Sequence, residues 1–446
     1  MTGGEIFGEL YGTAAMRAVW SARRSVAAML AVEAALARAE ARVGVIPQTA
    51  ADAISAAADA DRFDLDAIAA RANVVGYPVV PLTKQLAQHA GPDAGRYVHW
   101  GATTQDILDT ATVLQAREAL ALLETDVRDT IDVLAARARQ HRDDVMAGRT
   151  HLQHALPVTF GYVCALWLAP LPDHLERLRA ARERVRIVQF GGAVGTLAAL
   201  GARGRDVAAA LADELGLRLP DAPWHADRSA FAEAACAVAL LCGSLAKFAT
   251  DVVLLMQTEV GEVFEPHAPG RGGSSTMPQK RNPIASEYIL AATRGIDALV
   301  PLLLGAMAGD HQRSTGPWQT EPLALPQLFM LASAACAHAL ALARGMTVDV
   351  ARMRRNLDLT GGLIVSEAVS AALAETLGHE RAHALVEAAA STALASNRPF
   401  TDALADMPEI AGRFDRADLE RLLDPARYTG DAGAVVDRVL ARLSEG

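Results

Sequence analysis

Residues 113–134, VLQAREALALLETDVRDTIDVL, place Val113, Ala116, Leu120, Leu123, Val127, Ile131 and Leu134 at alternating three- and four-residue steps. Apolar residues so spaced fall on one stripe of an α-helix, the pattern of a long helix in a bundle. At about 1.5 Å per residue, thirty such residues span about 45 Å. Uninterrupted helical stretches of the same kind occupy about Tyr162–Val188, Phe231–Val260, Ala285–Ala308 and Leu325–Gly345. With the first they make five long helices, so an all-α protein around a five-helix bundle is expected.

Outward from that body the pattern loosens. A further helix is expected near Arg17–Val43, with Val26, Leu30 and Leu36 on one face, Gly44 at its stop and Pro47 beyond. Gly76, Pro78, Pro81 and Gly91–Pro92 then break the chain into short pieces. Breaks recur at Gly361–Gly362, Gly378, Pro399, Pro408 and Pro425. Three helical domains follow: residues 1–100, the bundle 101–345 with a loop at 268–287, and residues 346–446.

Composition narrows the function. Hydrophobic residues are 51% of the 446-residue chain but aromatics only 5%, so alanine, leucine and valine supply the packing, as suits close helix–helix contact. A net charge of −10 opposes a nucleic-acid partner, which normally meets a basic stripe. Cys164, Cys236, Cys242 and Cys336 lie in apolar stretches without a CxxC pair, so buried reduced thiols are expected rather than disulfides or zinc. Met1-Thr-Gly-Gly-Glu-Ile lacks a basic stretch followed by an apolar core, and the run Phe329–Ala343 is short for a membrane span and carries His338. A cytoplasmic protein without a membrane partner is expected.

Four polar segments interrupt the helices: His99–Asp106, Gly148–Pro157, Ala268–Glu287 and Asp310–Glu321. The third contains Pro269-Gly-Arg-Gly-Gly-Ser-Ser-Thr-Met-Pro-Gln-Lys-Arg-Asn-Pro283, too glycine-rich for a helix and too long for a turn. Its backbone N–H groups can converge on a negative charge, while Ser274 and Ser275 offer hydroxyls, Lys280 a cation and Asn282 an amide, a set suited to a dicarboxylate. A phosphate-binding P-loop would need glycine before the lysine, and Lys280 follows Pro278-Gln279. Neither metal-ligand spacing nor a Gly-x-Gly-x-x-Gly turn occurs, so no cofactor is implied.

Residues 273–283, with Glu287, resemble the signature of the fumarase/aspartase superfamily. Gly101-Ala-Thr-Thr-Gln-Asp106, Gly148-Arg-Thr-His-Leu-Gln-His154 and Gln257-Thr-Glu-Val-Gly-Glu262 resemble its other blocks in order and spacing. Lys280-Arg281-Asn282, Phe190-Gly-Gly-Ala-Val-Gly195 and Arg352–Leu359 look most like the bacterial 3-carboxy-cis,cis-muconate cycloisomerase branch, with adenylosuccinate lyases next. The resemblance implies removal of a proton next to one carboxylate and loss of a substituent from the neighbouring carbon, or lactone closure by the reverse addition. A carbanion beside a carboxylate must be held as a dianionic aci-carboxylate, which explains the density of donors.

By the same resemblance Ser274 is the base, Ser275, Lys280 and Asn282 hold one carboxylate, and Thr103 and Thr104 hold the other. An N-cap for the following helix is a second reading of that threonine pair, compatible with the first. Thr150 and His151 match a threonine–histidine pair of fumarases and aspartases, where cycloisomerases usually carry tryptophan in place of the histidine. His154 matches a histidine that cycloisomerases keep; carboxylate donor and general acid are both open to it, as is a structural role. Arg17 resembles an early substrate-contacting position, and Arg313 lies in Asp310–Glu321, where Trp318–Pro322 departs from the cycloisomerase pattern. Adenylosuccinate lyases place phosphate-binding serines and arginines there, so a nucleotide substrate is disfavoured.

The resemblance further implies a homotetramer with a twenty-helix core and active sites shared between subunits. The expected activity is a cofactor-independent elimination from a succinate-like di- or tricarboxylate, with His151 favouring it over cycloisomerisation. Epimerisation of a substituted succinate is a third course. A non-enzymatic scaffold would leave Ser274, Lys280, Asn282 and His151 together without a reason.

Overall fold

The computed structural model describes residues 4–266, 272–273, 277 and 279–444. They form an all-α protein. The deciding stripe is part of one helix, Thr104–Gln140, and all seven of its apolar residues are buried. Asp106 in its first turn and Arg137 and Arg139 in its last complement the helix dipole.

Three more of the expected stretches are single helices, Ser229–Leu255, Ile284–Gly305 and Glu321–Gly345. The stretch at Tyr162–Val188 is two helices, Phe160–Leu168 and Leu171–Arg184, because Pro170 and Pro172 each lack an N–H and crowd the preceding turn. Near the N-terminus Ser21 caps a helix Ala22–Val43 that ends on left-handed Gly44, so the expected helix starts later than Arg17.

The chain divides into two compact units, each assembled from three separate segments. The first comprises residues 1–128, 173–246 and 288–338, the second 129–172, 247–287 and 339–446. In the first unit Leu30, Ile54, Leu82, Leu86 and Ile107 lie in one apolar cluster. In the second, Val365, Leu373, Phe400, Leu404 and Leu419 form another, which Ala147 joins.

The Gly148–Pro157 segment, expected only as a polar connection, lies within an antiparallel hairpin of β1 (Val145–Thr150) and β2 (Gln153–Thr159). Strands this short give too little alternation to read from sequence. A second small pair joins residues 263–264 to 347–348.

By length and composition alone, Ser229–Leu255, Ile284–Gly305 and Trp318–Gly345 are apolar enough to cross a membrane. A 15-residue apolar run ending at Ala343 therefore understated the helix that contains it. Of the three, Trp318–Gly345 is mostly buried, at 72% of its apolar window, whereas Ser229–Leu255 and Ile284–Gly305 are buried over 44% and 28% of theirs. All four cysteines are free, and burial pushes the Cys242 thiol up to about 12.

Candidate functional site

In the first unit Thr103 and Thr104 stand at the start of the Thr104–Gln140 helix. Asp106, fully buried, accepts the Thr103 N–H (3.0 Å) and the Gly192 N–H (2.9 Å) on Oδ2. Its Oδ1 accepts the Gly191 N–H (3.0 Å) and lies 2.7 Å from His225 Nε2. Close approach is needed here: Gly192 has φ +68°, and a Cβ on it would lie 3.0 Å from the Gly101 carbonyl oxygen. Arg313 donates to Thr103 Oγ1 at 2.7 Å, so two of the residues picked from sequence meet.

Behind them Arg228, with no exposed side-chain surface, forms ion pairs with Asp109 and Glu321 and lies over the Trp224 ring. Burial opposes its charge, but the two carboxylates hold its pKa above the ordinary value. Trp318 donates to Asp109 Oδ1 at 3.1 Å and is itself buried, a packing position rather than an open wall.

His99 was not singled out from sequence. It adopts φ +63°, and its Nδ1 lies 2.6 Å from Oε1 of buried Glu33. Burial alone lowers its pKa; the Glu33 hydrogen bond and charge, with Asp106 beyond, raise it overall. No sequence pattern reveals a left-handed histidine, because the conformation is imposed by the surrounding fold.

In the second unit the hairpin closes on a two-residue turn between paired Thr150 and Gln153. His151 (φ +50°) and Leu152 (φ +63°) occupy it, where both positions favour Asn or Gly. Two side-chain-bearing residues in that region carry strain of about 1–3 kcal/mol each. Thr150 and His151 are exposed, and Leu152 retains 79% of its surface. Below the turn, Arg149 makes a bidentate pair with buried Glu262, at 2.9 and 2.7 Å. Asn356 donates to the same carboxylate at 2.6 Å.

His154 faces Arg149 across the hairpin. Burial first, then the Arg149 charge, lowers its pKa against a smaller opposing effect of Glu262. A cavity of about 750 Å³ lies here, lined by Thr150, His151, Leu152, Tyr162, Lys247 and Gln257 among others.

Ser274 and Ser275 lie outside the described residues. The described parts of their loop are joined: Asn282 donates to the Gly272 carbonyl at 2.8 Å, and Gly273 bridges to Arg281. Arg281 reaches the Glu265 carbonyl at 2.8 Å. The Glu265 carboxylate accepts from Ala285 N, Ser286 N and Ser286 Oγ at 2.7–2.9 Å, capping the helix that follows. Lys280 is exposed and Asn282 half-buried.

Arg17 stands apart. Its guanidinium holds the Gly8 and Gly12 carbonyls and pairs with Glu9. Among the described residues none of these bonds reaches Thr103, Thr104 or Arg313. Also among them, no group of three or more His, Cys, Asp or Glu residues is arranged to hold a metal ion.

Asp106 and Glu262 stand inside blocks that carry the superfamily resemblance, but only the fold shows them as the buried anchors of two site segments. His225 lies outside every such block.

Comparison with known proteins places this geometry in its class. Residues 10–296 match the family model described as lyase, and residues 362–439 match adenylosuccinate lyase C-terminus. The chain is 49% identical to a 3-carboxy-cis,cis-muconate cycloisomerase of Pseudomonas aeruginosa, over 98% of this chain and 96% of that one. It is 40% identical to an N-acetyl-S-(2-succino)cysteine lyase of Enterococcus italicus, over 97% and 94%. The crystal structure of a 3-carboxy-cis,cis-muconate lactonizing enzyme from Pseudomonas putida superposes with a TM-score of 0.96 at 46% identity, covering 99% of each chain. The chain therefore belongs to the fumarase/aspartase superfamily of enzymes, the lyases and cycloisomerases that share this all-α fold.

Proposed function

We propose that this chain catalyses lactone formation from 3-carboxy-cis,cis-muconate without a cofactor, so that the reaction ranked second from sequence becomes the leading one. The observation that carries the reading is 49% identity, over nearly the whole length of both chains, to a cycloisomerase of that name. The substrate is a tricarboxylate. Thr103, Thr104 and Arg313 hold one carboxylate, and Ser275, Lys280 and Asn282 hold another. A carboxylate oxygen adds to the diene, the electron pair moves to the carbon next to a bound carboxylate, and the aci-carboxylate takes a proton there. Ser274, the base in the elimination direction, delivers that proton as its hydroxyl.

The working form is a homotetramer with shared sites, in the cytoplasm. What supports the assembly is the apolar surface that each chain leaves open: Leu166, Leu302, Leu304, Met307 and Leu323 are each more than 40% exposed. In that assembly the exposed His151–Leu152 turn is completed by other copies. The three membrane-like helices bury their remaining apolar faces in the same way, without a lipid partner.

His151 favours a second reading, elimination from a succinyl adduct with release of fumarate, since the threonine–histidine pair resembles that of fumarases and aspartases. The 40% identical relative is named N-acetyl-S-(2-succino)cysteine lyase. Incubating the purified enzyme with 3-carboxy-cis,cis-muconate and following the diene absorbance tests the first reading. Rapid loss supports it; no loss, with fumarate released from an N- or S-succinyl compound, replaces it by the second. Epimerisation of a substituted succinate would give neither signal, only a change of optical rotation.

A further inference from the structure

We infer that Asp106, held by His225, is a positioning residue that sets the affinity of the Thr103–Thr104 carboxylate subsite. The inference rests on the carboxylate-binding part of the proposed function and not on which bond is made.

Asp106 has no exposed surface, so it acts through others. An ionised carboxylate offers about four lone-pair directions, and all four are engaged, by Thr103 N, Gly191 N, Gly192 N and His225 Nε2. Only the first of these belongs to an ordinary helix start. The other three come from the Gly191–Gly192 turn and from His225, elements more than 80 residues away in sequence. One group thus locks three segments together. A Cβ on Gly192 would lie 3.0 Å from the Gly101 carbonyl oxygen, so glycine lets this turn come close to the segment before Thr103.

The arrangement also decides what Thr103 can offer an anion. Its N–H is engaged by Asp106, and its hydroxyl accepts from Arg313. A hydroxyl that accepts a charge-assisted bond keeps its own hydrogen free, polarised toward an acceptor elsewhere. Arg313 therefore works on a bound carboxylate through Thr103 as well as by its charge. Loosening Asp106 turns that hydroxyl away and weakens binding rather than the proton-transfer step.

His225→Gln retains a donor for Asp106 Oδ1, whereas His225→Leu removes it. The Leu variant should raise KM for 3-carboxy-cis,cis-muconate, and the dissociation constant of fumarate measured by calorimetry, by about tenfold or more. Its kcat should stay within about threefold, and the Gln variant should recover most of the loss. A Leu variant that melts earlier yet keeps KM and fumarate affinity overturns the inference, as does a Gln variant no better than Leu. Should the Leu variant not fold, Gly192→Ala presses the same turn onto Gly101 and must raise both constants; unchanged constants overturn the inference equally. A wild type that binds fumarate but leaves the muconate intact removes the cycloisomerase reading alone, and the fumarate series still decides this one. A wild type that does neither removes both.

Discussion

Two of the segments that carry substrate-binding candidates, Thr103–Asp106 and Thr150–His154, are built on opposite plans. At Thr103–Asp106 the Thr103 N–H and hydroxyl are both engaged, the anchoring carboxylate is buried, and left-handed backbone falls on Gly101, Gly192 and His99. At Thr150–His154 the anchor, Glu262, is equally buried, but the tip it supports is exposed and strained, with histidine and leucine where glycine would sit easily. The second segment keeps an unfavourable backbone at an exposed tip, where His151 and Leu152 line the cavity beside the hairpin. The lesson is that buried carboxylates preorganise both segments, while strained backbone falls on a buried-acid partner, His99, in the first and on the exposed tip in the second.

The largest expected effect falls on neither segment and bounds what they contribute. If both only bind and orient, Ser274→Ala should lower kcat by about 10³-fold with KM nearly kept. Turnover within tenfold of wild type would remove Ser274 as the base and return acid–base work to the two segments. Glu262→Gln strikes the anchor of the second: Arg149 loses its ionised partner, and a broken buried pair costs about 3–5 kcal/mol. Thermal melting should register the loss, and kcat/KM should fall by about 10–100-fold as the hairpin loosens. An unchanged melting temperature would mean that the pair anchors nothing.

Glu40 sharpens the picture of the first unit. It shares the Ala22–Val43 helix with Glu33, and burial, then the Glu33 charge, raises its pKa from 4.5 to about 9. Between those values the folded chain keeps a proton that the unfolded chain loses, so stability declines as pH rises from about 4.5 and levels off near 9. Glu40→Gln should therefore stabilise the protein by about 3 kcal/mol at pH 7, and hardly at all near pH 4.5. Denaturant titrations at both pH values test this; equal effects would show that Glu40 does not titrate in that window. Activity should be unaltered, since Glu33 rather than Glu40 holds His99.

The smallest expected change in stability belongs to the turn. Replacing His151-Leu152 by Asn-Gly should stabilise by about 1–2 kcal/mol net, the relieved strain being partly offset by glycine's greater freedom in the unfolded chain, and raise the unfolding midpoint while lowering kcat/KM. A turn that gained stability and kept full activity would reduce the contrast between the two segments to accident.

The helical plan was legible because it depends on periodicity. Val113 through Leu134 lie on one face of any helix that contains them, and prolines, capping serine and glycine stops act over a few residues. The superfamily was legible because eleven adjacent positions around Ser274 and three further blocks recur in order. The cycloisomerase ranking was not, since one histidine at position 151 weighed against the likeness of the rest of the chain. The hairpin escaped notice because two six- to seven-residue strands carry too few alternations to stand out among helices.

What the sequence determined by itself is therefore the chemistry available and the elements that carry it: long helices, four polar segments, and the residue types that bind carboxylates. Tertiary structure alone decided which buried acid anchors which segment, that Arg313 works on Thr103, and that His99, His151 and Leu152 adopt left-handed backbone. The reason is physical. Local propensity acts over a few residues, whereas Asp106 meets Gly191 and His225, and Glu262 meets Arg149 and Asn356, across separations of 85–119 residues. Such contacts exist only once the helices have packed.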